Sequence, residues 1–371
     1  MKKVGVITMH RVINFGSALQ AYATIKTISS LGYDAELIDY IFPNQKVRQS
    51  FLIRIKKIVA RIMTLLFYGD KRKRFEKFYS RYYKCSQQYK SPSELNSANF
   101  TYDILLTGSD QVWNPIHTGD DFAFLLSFAN DEIPRISYAS SFSTSILPDR
   151  YKTIYADYLK KYKFLSVREL SGVNIVNELI GKTSYCSCDP TLLLSKAEWS
   201  NLANEGKRLV KGRYILLYIL TYAYNPYPEI LNAINYVKDK LNLPIVALNG
   251  SLFTNRIYDA KIIKNAGPLE FLRLVREASF VITTSFHGTA FSLNFEKPFF
   301  SIINNSEKDT RMTDLLTSVG AEDRALIYNS DTFNTSLEMD YSSITPRLVE
   351  IRNNSLEYLR ESLKNSDKVC S

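Results

Sequence analysis

Short apolar runs alternate with longer amphipathic ones along most of the chain, each bounded by glycine, proline or small polar residues. In the first half, Val4–Met9 (VGVITM), Ala35–Tyr40 (AELIDY), Tyr102–Thr107 (YDILLT), Arg135–Ser143, Phe164–Arg168 and Ser184–Cys188 read as strands. Helical runs are predicted over Ala18–Leu31, which Gly32 stops, over Asp149–Tyr162, and after Glu169. The polar stretch Ser195–Gly212 reads as a linker with a leading helix, and then the alternation resumes. Strands are predicted at Tyr214–Leu220, Pro244–Leu248, Phe280–Thr283 and Pro298–Ile303, and helices at Pro228–Leu241, Pro268–Ala278 and Thr289–Phe295. A long helix at Thr345–Lys364 closes the series. Strands alternating with helices imply parallel sheets covered on both faces. Two such series predict an α/β protein of two parallel-sheet domains, 1–195 and 196–371, with a cleft between them.

One segment, about residues 46–90, interrupts this rhythm. In Phe51–Phe67 (FLIRIKKIVARIMTLLF), Leu52, Ile55, Val59, Ile62 and Leu66 share one helical face, while Arg54, Lys57 and Arg61 occupy the other. A basic, aromatic run, KRKRFEKFYSRYYK, follows. The formal net charge is +10, and much of the excess lies between Arg48 and Lys84. Two readings fit: residues 48–84 lie on an anionic membrane surface, or they form a helical insertion packed on the first domain with a solvated basic face. No recognition motif accompanies the charge, so nucleic acid is not an expected partner. At 371 residues with 45% hydrophobic content, the chain can bury two cores. The start MKKVGVITM runs directly into a strand, and no apolar stretch of membrane-spanning length is free of charge. The expected location is the cytoplasm, peripheral at the inner face of the membrane if the basic segment binds lipid. Four scattered cysteines suit a reducing compartment, and Cys186 with Cys188 lacks the second pair that a metal site needs.

Candidate chemistry gathers where strands end. Ala278–Leu293 (ASFVITTSFHGTAFSL) reads as a strand, a tight turn and a helix start, where unpaired N–H groups favour an anion beside the hydroxyls of Thr284 and Ser285 and the backbone of Gly288. His287 is planted there, and an imidazole can give or take a proton near neutrality; the other reading is a capping turn whose ring packs on a carbonyl. After Tyr102–Thr107 comes GSDQVWNP. Asp110 is placed to orient or deprotonate a hydroxyl, Ser109, Gln111 and Asn114 to hydrogen-bond one, and Trp113 to offer a flat face to a sugar ring, with turn chemistry and a core tryptophan as the alternative. Arg168 is suited to gripping a carboxylate or phosphate, or else to an ion pair with Glu169 or another acid. After the first strand, Gly16 permits a ligand to approach the backbone, and Asn14 and Gln20 can hydrogen-bond it. The loop lacks the G-x-G-x-x-G spacing of a dinucleotide site.

Asn14-Phe15-Gly16 with Gln20, Gly108–Asn114 (GSDQVWN), Ser166–Glu169, Asp189-Pro190-Thr191, Ser285–Gly288 (SFHG) and Arg311 together resemble the polysaccharide pyruvyl transferase family. The resemblance implies a fold similar to type B glycosyltransferases, with two Rossmann-like domains facing a cleft. It implies phosphoenolpyruvate as co-substrate, no further cofactor, and a sugar acceptor in a glycan or lipid-linked glycan precursor. The product would be a pyruvate ketal, with release of phosphate, in exopolysaccharide, capsule or cell-surface glycan biosynthesis. By position, His287 matches the donor-site histidine and Arg168 a donor-binding arginine. Ser285 stands where many members carry an arginine, and Arg311 or Lys297 is the candidate replacement. The same architecture also hosts nucleotide-sugar-dependent glycosyltransferases, and a non-catalytic glycan- or membrane-binding relative would keep the fold without the chemistry.

Overall fold

A computed structural model describes residues 1–42, 70–221, 224–228, 230–248, 260–304, 310–327 and 335–366. The apolar runs form strands buried on both faces, as parallel sheets require. The first sheet contains β1 (Lys3–Ile7), β2 (Asp34–Tyr40), β3 (Cys85–Tyr89), β4 (Ile104–Thr107), β5 (Arg135–Ser137) and β6 (Tyr162–Phe164), in the order β3-β2-β1-β4-β5-β6. A two-stranded parallel pair, β7 (Ser166–Val167) and β8 (Tyr185–Cys186), adjoins it. The second sheet repeats the pattern with β9 (Ile215–Tyr218), β10 (Ile245–Leu248), β11 (Lys261–Ile263), β12 (Phe280–Thr283), β13 (Phe299–Ile303) and β14 (Ala325–Ile327), ordered β11-β10-β9-β12-β13-β14. All pairings are parallel, so each sheet reverses strand order beside its first strand: between β1 and β4, and between β9 and β12.

The longer helices among the described residues are α1 (Phe15–Ser30), α2 (70–82), α3 (Asp149–Leu159), α4 (Leu170–Ile180), α5 (Lys196–Asn204), α6 (Ile230–Leu241), α7 (Pro268–Glu277), α8 (Phe286–Asn294), α9 (Arg311–Val319) and α10 (Ile344–Ser366). Local chemistry sets their ends. Asn14 caps α1, Ser195 and Glu198 form a capping box on α5, and left-handed Gly181 and Gly320 follow α4 and α9. No described helix is long and apolar enough to cross a membrane.

The amphipathic stretch 51–67 lies outside the described residues. The basic run after it packs against the protein. Phe75, Phe78 and Tyr79 of α2 are buried, and the Tyr79 and Tyr83 hydroxyls donate to the Val12 and Ala18 carbonyls at 3.0 and 2.7 Å. Arg74 pairs with Glu270 at 3.0 Å, Arg81 with Glu205, and Lys84 with Asp34. From residue 70 onward the segment packs on the first domain, as one of the two readings has it, but it also reaches the second through Glu205 and Glu270, and Arg74, Arg81 and Lys84 are ion-paired within the fold.

The two sheets share one apolar cluster. Phe15 of α1 stacks on Phe271 of α7 with centroids 4.7 Å apart, and Trp199 of α5 sits between Tyr22 and Phe291. The last helix returns from the second sheet to the first: Tyr358 donates to the Ser137 carbonyl at 3.2 Å, and Ser355 accepts the Cys188 N–H at 2.9 Å. Replacing fully buried Phe271 by alanine is expected to cost about 3–5 kcal/mol in urea denaturation. A cost below about 1 kcal/mol would mean that this stack does not hold the halves together.

Candidate functional site

Open α/β sheets bind ligands outside the carboxyl ends of their strands, where strand order reverses. The two reversal points meet in this molecule. At the second, the Thr283 hydroxyl accepts the Ser285 N–H at 3.0 Å and donates to the Tyr218 carbonyl at 2.8 Å. Gly288 is required there, since a Cβ would lie 2.3 Å from Thr283 Oγ1. Ser285 Oγ caps α8 by accepting the Gly288 N–H at 3.3 Å, and the Thr284 hydroxyl is tied to the backbone of Leu220. Thr284, Ser285 and Gly288, expected as donor contacts, spend these groups on building the turn.

The turn aims His287 at the first reversal point. A Cβ built on Gly16 would fall 1.9 Å from its Nδ1, so the ring from one domain occupies the space that any other residue at position 16 would need. Asn14 is committed locally: its side-chain oxygen accepts the Gly16 and Ser17 N–H groups at 2.8 and 3.2 Å. Gln20 is fully buried and donates to Thr8 Oγ1 at 2.9 Å and the Ser17 carbonyl at 3.1 Å. Both position α1 rather than face a sugar.

Between the two points lies Asp189, a buried residue with no predicted role. Its Oδ2 accepts from Arg168 Nη1 at 2.7 Å and Ser109 Oγ at 3.1 Å, and faces His287 Nε2 at 3.5 Å. Its Oδ1 accepts from the Thr191 N–H and hydroxyl at 2.9 and 2.8 Å. Burial alone would push this carboxyl up; the facing His287, the Arg168 guanidinium and the Thr191 N–H outweigh it and hold the group well below the usual carboxylate range. Ser109 thus serves Asp189 and not an acceptor. Arg168 packs its guanidinium 4.5 Å over the Phe286 ring and keeps Nε and Nη2 without a hydrogen-bond partner, as is His287 Nε2. Arg168 does not hydrogen-bond Glu169. That carboxylate accepts the Ser141 hydroxyl and the Phe142 and Ser143 N–H groups at 2.8–3.0 Å, and burial pushes its pKa up.

Asp110 stands at the first reversal point in a left-handed conformation, φ 76°. Its carboxylate accepts from the Ser17 hydroxyl at 2.5 Å and the Gln111 N–H at 2.9 Å. With the Gln111 amide turned to satisfy both ends, its oxygen accepts from Ser143 Oγ and both terminal nitrogens of Arg311 at 2.8–3.0 Å, while its nitrogen donates to His117 Nε2 at 2.6 Å. Arg311, at the start of α9, therefore reaches across to the first domain. Asp314, one turn on, accepts the Leu170 N–H at 3.0 Å.

Three expectations are corrected. Trp113 is wholly enclosed, its indole N–H donating to the Phe124 carbonyl at 3.1 Å and its ring packed on Phe142 and Tyr162, so no face is open to a sugar. Asn114 is buried and caps the turn Pro115–Thr118 by accepting the Ile116 N–H at 2.9 Å. Lys297 lies past the opposite end of α8, beside Lys196, Arg276 and Tyr341, and cannot replace a cation at Ser285.

The family model of polysaccharide pyruvyl transferase matches residues 14–306. No curated protein matches the chain. Among solved structures, the chain is similar to the UDP-GlcNAc 2-epimerase of Methanocaldococcus jannaschii in complex with UDP-GlcNAc and UDP, at 12% identity over 100% of this chain and 93% of that one, TM-score 0.52. The UDP-N-acetylglucosamine 2-epimerase of Rickettsia bellii gives 12%, 99%, 97% and 0.54. The enzyme of Neisseria meningitidis bound to UDP-GlcNAc gives 12%, 100%, 95% and 0.51. The likeness is one of fold: two Rossmann-like domains arranged as in type B glycosyltransferases.

Gly16→Ala is expected to destabilise the protein by about 1–3 kcal/mol, and most of that loss should vanish in a His287→Ala background, where the clash is gone. Purely additive effects in urea denaturation would contradict the contact. Asp189→Asn removes a carboxylate whose folded pKa is depressed. Its stabilisation is present above the ordinary aspartate value of about 3.9 and lost as pH falls through the depressed one. The variant should lose about 3 kcal/mol at pH 7 and show a shallower acid dependence than wild type; equal acid slopes would show that Asp189 is not held ionised.

Proposed function

The chain belongs to the polysaccharide pyruvyl transferase family, and from that premise we propose that it moves the enolpyruvyl group of phosphoenolpyruvate onto two hydroxyls of one sugar. The acceptor is a glycan or lipid-linked glycan precursor of a cell-surface polysaccharide, and the product is a pyruvate ketal. What supports this reading beyond family membership is the Arg168–Asp189–His287 cluster at the meeting of the two reversal points.

The donor is a small dianion or trianion carrying a carboxylate and a phosphate. Arg168 retains two unpartnered nitrogens, Nε and Nη2, for one of these groups, and Arg311, which reaches Gln111 from α9, is the candidate second guanidinium. His287 acts as general acid and delivers a proton to the methylene carbon, which makes the adjacent carbon electrophilic. An acceptor hydroxyl, relieved of its proton by Asp110, adds to that carbon. The C–O bond to phosphate breaks, and the second hydroxyl closes the ring. One hydroxyl proton is balanced by the new methyl hydrogen, and the other leaves with phosphate.

Incubation with phosphoenolpyruvate and a panel of glycan acceptors should release inorganic phosphate only when both substrates are present, with a ketal methyl signal in the product. His287→Gln should lower that rate by roughly 100-fold or more, and Asp110→Asn by a similar factor. Full activity in folded His287→Gln would remove its assigned role. Turnover of a sugar nucleotide in place of phosphoenolpyruvate would overturn the reading itself.

A further inference from the structure

The chain crosses from the first sheet to the second between β8 and α5, and side chains from both halves grip the crossing by its carbonyls. The Cys188 carbonyl accepts the Tyr138 hydroxyl at 3.0 Å, the Thr191 carbonyl the Trp199 indole N–H at 2.8 Å, and the Leu192 carbonyl Arg352 Nε at 2.6 Å. Two more of these bonds come from a single residue. Asn294, which ends α8, is buried, and its Nδ2 donates to the Thr191 and Leu194 carbonyls at 3.0 Å each. The neighbours fix this orientation of the amide. Two carbonyls can only accept, and Arg352 Nη2, 3.4 Å from Oδ1, can only donate. Both amide hydrogens of Asn294 are thus directed at the crossing segment.

Helix α8 carries His287 in its first turn and Asn294 at its end, about 10 Å apart along the axis. At the first end, His287 Nε2 faces Asp189 Oδ2 at 3.5 Å. At the other, Asn294 holds the Thr191 carbonyl, and Thr191 gives its N–H and hydroxyl to Asp189 Oδ1 at 2.9 and 2.8 Å. The contacts close a circuit that runs from His287 along α8 to Asn294, then through Thr191 to Asp189 and back to the imidazole. Its other links are covalent or hydrogen bonds of ordinary length, so they, and not the long approach of imidazole to carboxylate, set where His287 stands.

We propose that Asn294 is a positioning residue for the His287–Asp189 pair: by fastening the end of α8 to the segment that carries Asp189, it fixes the imidazole at the carboxylate and keeps the crossing from acting as a hinge. The proposal deepens the reading of His287 as general acid and rests on that reading for its effect on turnover. The fastening itself is independent of what the protein transfers.

The test is labelling of the full chain with diethyl pyrocarbonate, which acylates accessible imidazoles, with each site followed by peptide mass mapping. The chain has three histidines: His10 is fully buried, His117 is exposed, and His287 is buried with Nε2 enclosed. In wild type, His117 should react first and His287 slowly. N294A removes both donors. N294D keeps the size of the side chain and places its charge beside Arg352, so the fold is preserved while the same donors are lost. In each variant, His287 is expected to react about ten-fold faster than in wild type. Y341F removes the hydroxyl that donates to the Lys297 carbonyl at 2.6 Å, near the same end of α8 but outside the circuit, and should react as wild type does. Wild-type reactivity of His287 in both Asn294 variants, or equal acceleration in Y341F, would overturn the proposal. Labelling needs no substrate, so it decides the matter even if wild type turns over no phosphoenolpyruvate. With phosphoenolpyruvate and acceptor, N294D should lower kcat about ten-fold with KM for phosphoenolpyruvate nearly unchanged, and should have no further effect in an H287Q background. An equal loss in that background would show that Asn294 does not act through His287.

Discussion

A buried carboxylate must be paired or it neutralises, and Asp189 is paired on every side. Its two oxygens join four groups from separate parts of the chain: Arg168 after β7, Ser109 after β4, Thr191 beside it, and His287 from the second domain. The contact costs desolvation and repays it in position. One oxygen holds a guanidinium and faces an imidazole, so the two side chains suited to anion binding and proton transfer are fixed relative to each other. Arg168 is held through a single nitrogen, which leaves its remaining donors for something else.

The surrounding structure keeps the two halves at the distance this arrangement needs. Aromatic stacking of Phe15 on Phe271 brings α1 to the second domain, and the absence of a side chain at Gly16 lets His287 close on it. Arg311 and Asp314 also reach from α9 to the first domain, at Gln111 and at the first turn of α4. The acid–base pair of the proposed reaction, His287 and Asp110, therefore comes from different domains, and a shift of one domain against the other would separate them.

Much of this was legible in the sequence where a property belongs to a local stretch. Apolar runs such as ILLT, ILLY and FVIT became buried parallel strands, and the strand-turn-helix around His287 is as expected. The Arg135–Ser143 run was over-read: β5 ends at Ser137, because Ala139 and Ser143 adopt positive φ. Short edge strands such as β3, CSQQY, carry too little apolar signal to announce themselves. Asn14, Asn114 and Ser285 cap helices at positions where ligand contacts are expected, because the side chains that suit one role also suit the other. Asp189 stands in the sequence only as part of the Asp189-Pro190-Thr191 motif, without a role, because its role lies in partners 21 and 80 residues away and in a ring from the other domain. A buried Asp directly before Pro190 at the end of a strand was the available signal, and it reads equally as a turn.

In the proposed reaction Arg168, held by Asp189 beside His287, binds phosphoenolpyruvate. The direct measurement is thermal unfolding with and without phosphoenolpyruvate, for wild type and Arg168→Ala. A ligand at about a hundred times its dissociation constant adds roughly 2.7 kcal/mol, seen as a rise of several degrees. The rise is expected in wild type and its loss in Arg168→Ala. An equal rise in both proteins, or a rise with sugar nucleotide alone, would contradict it.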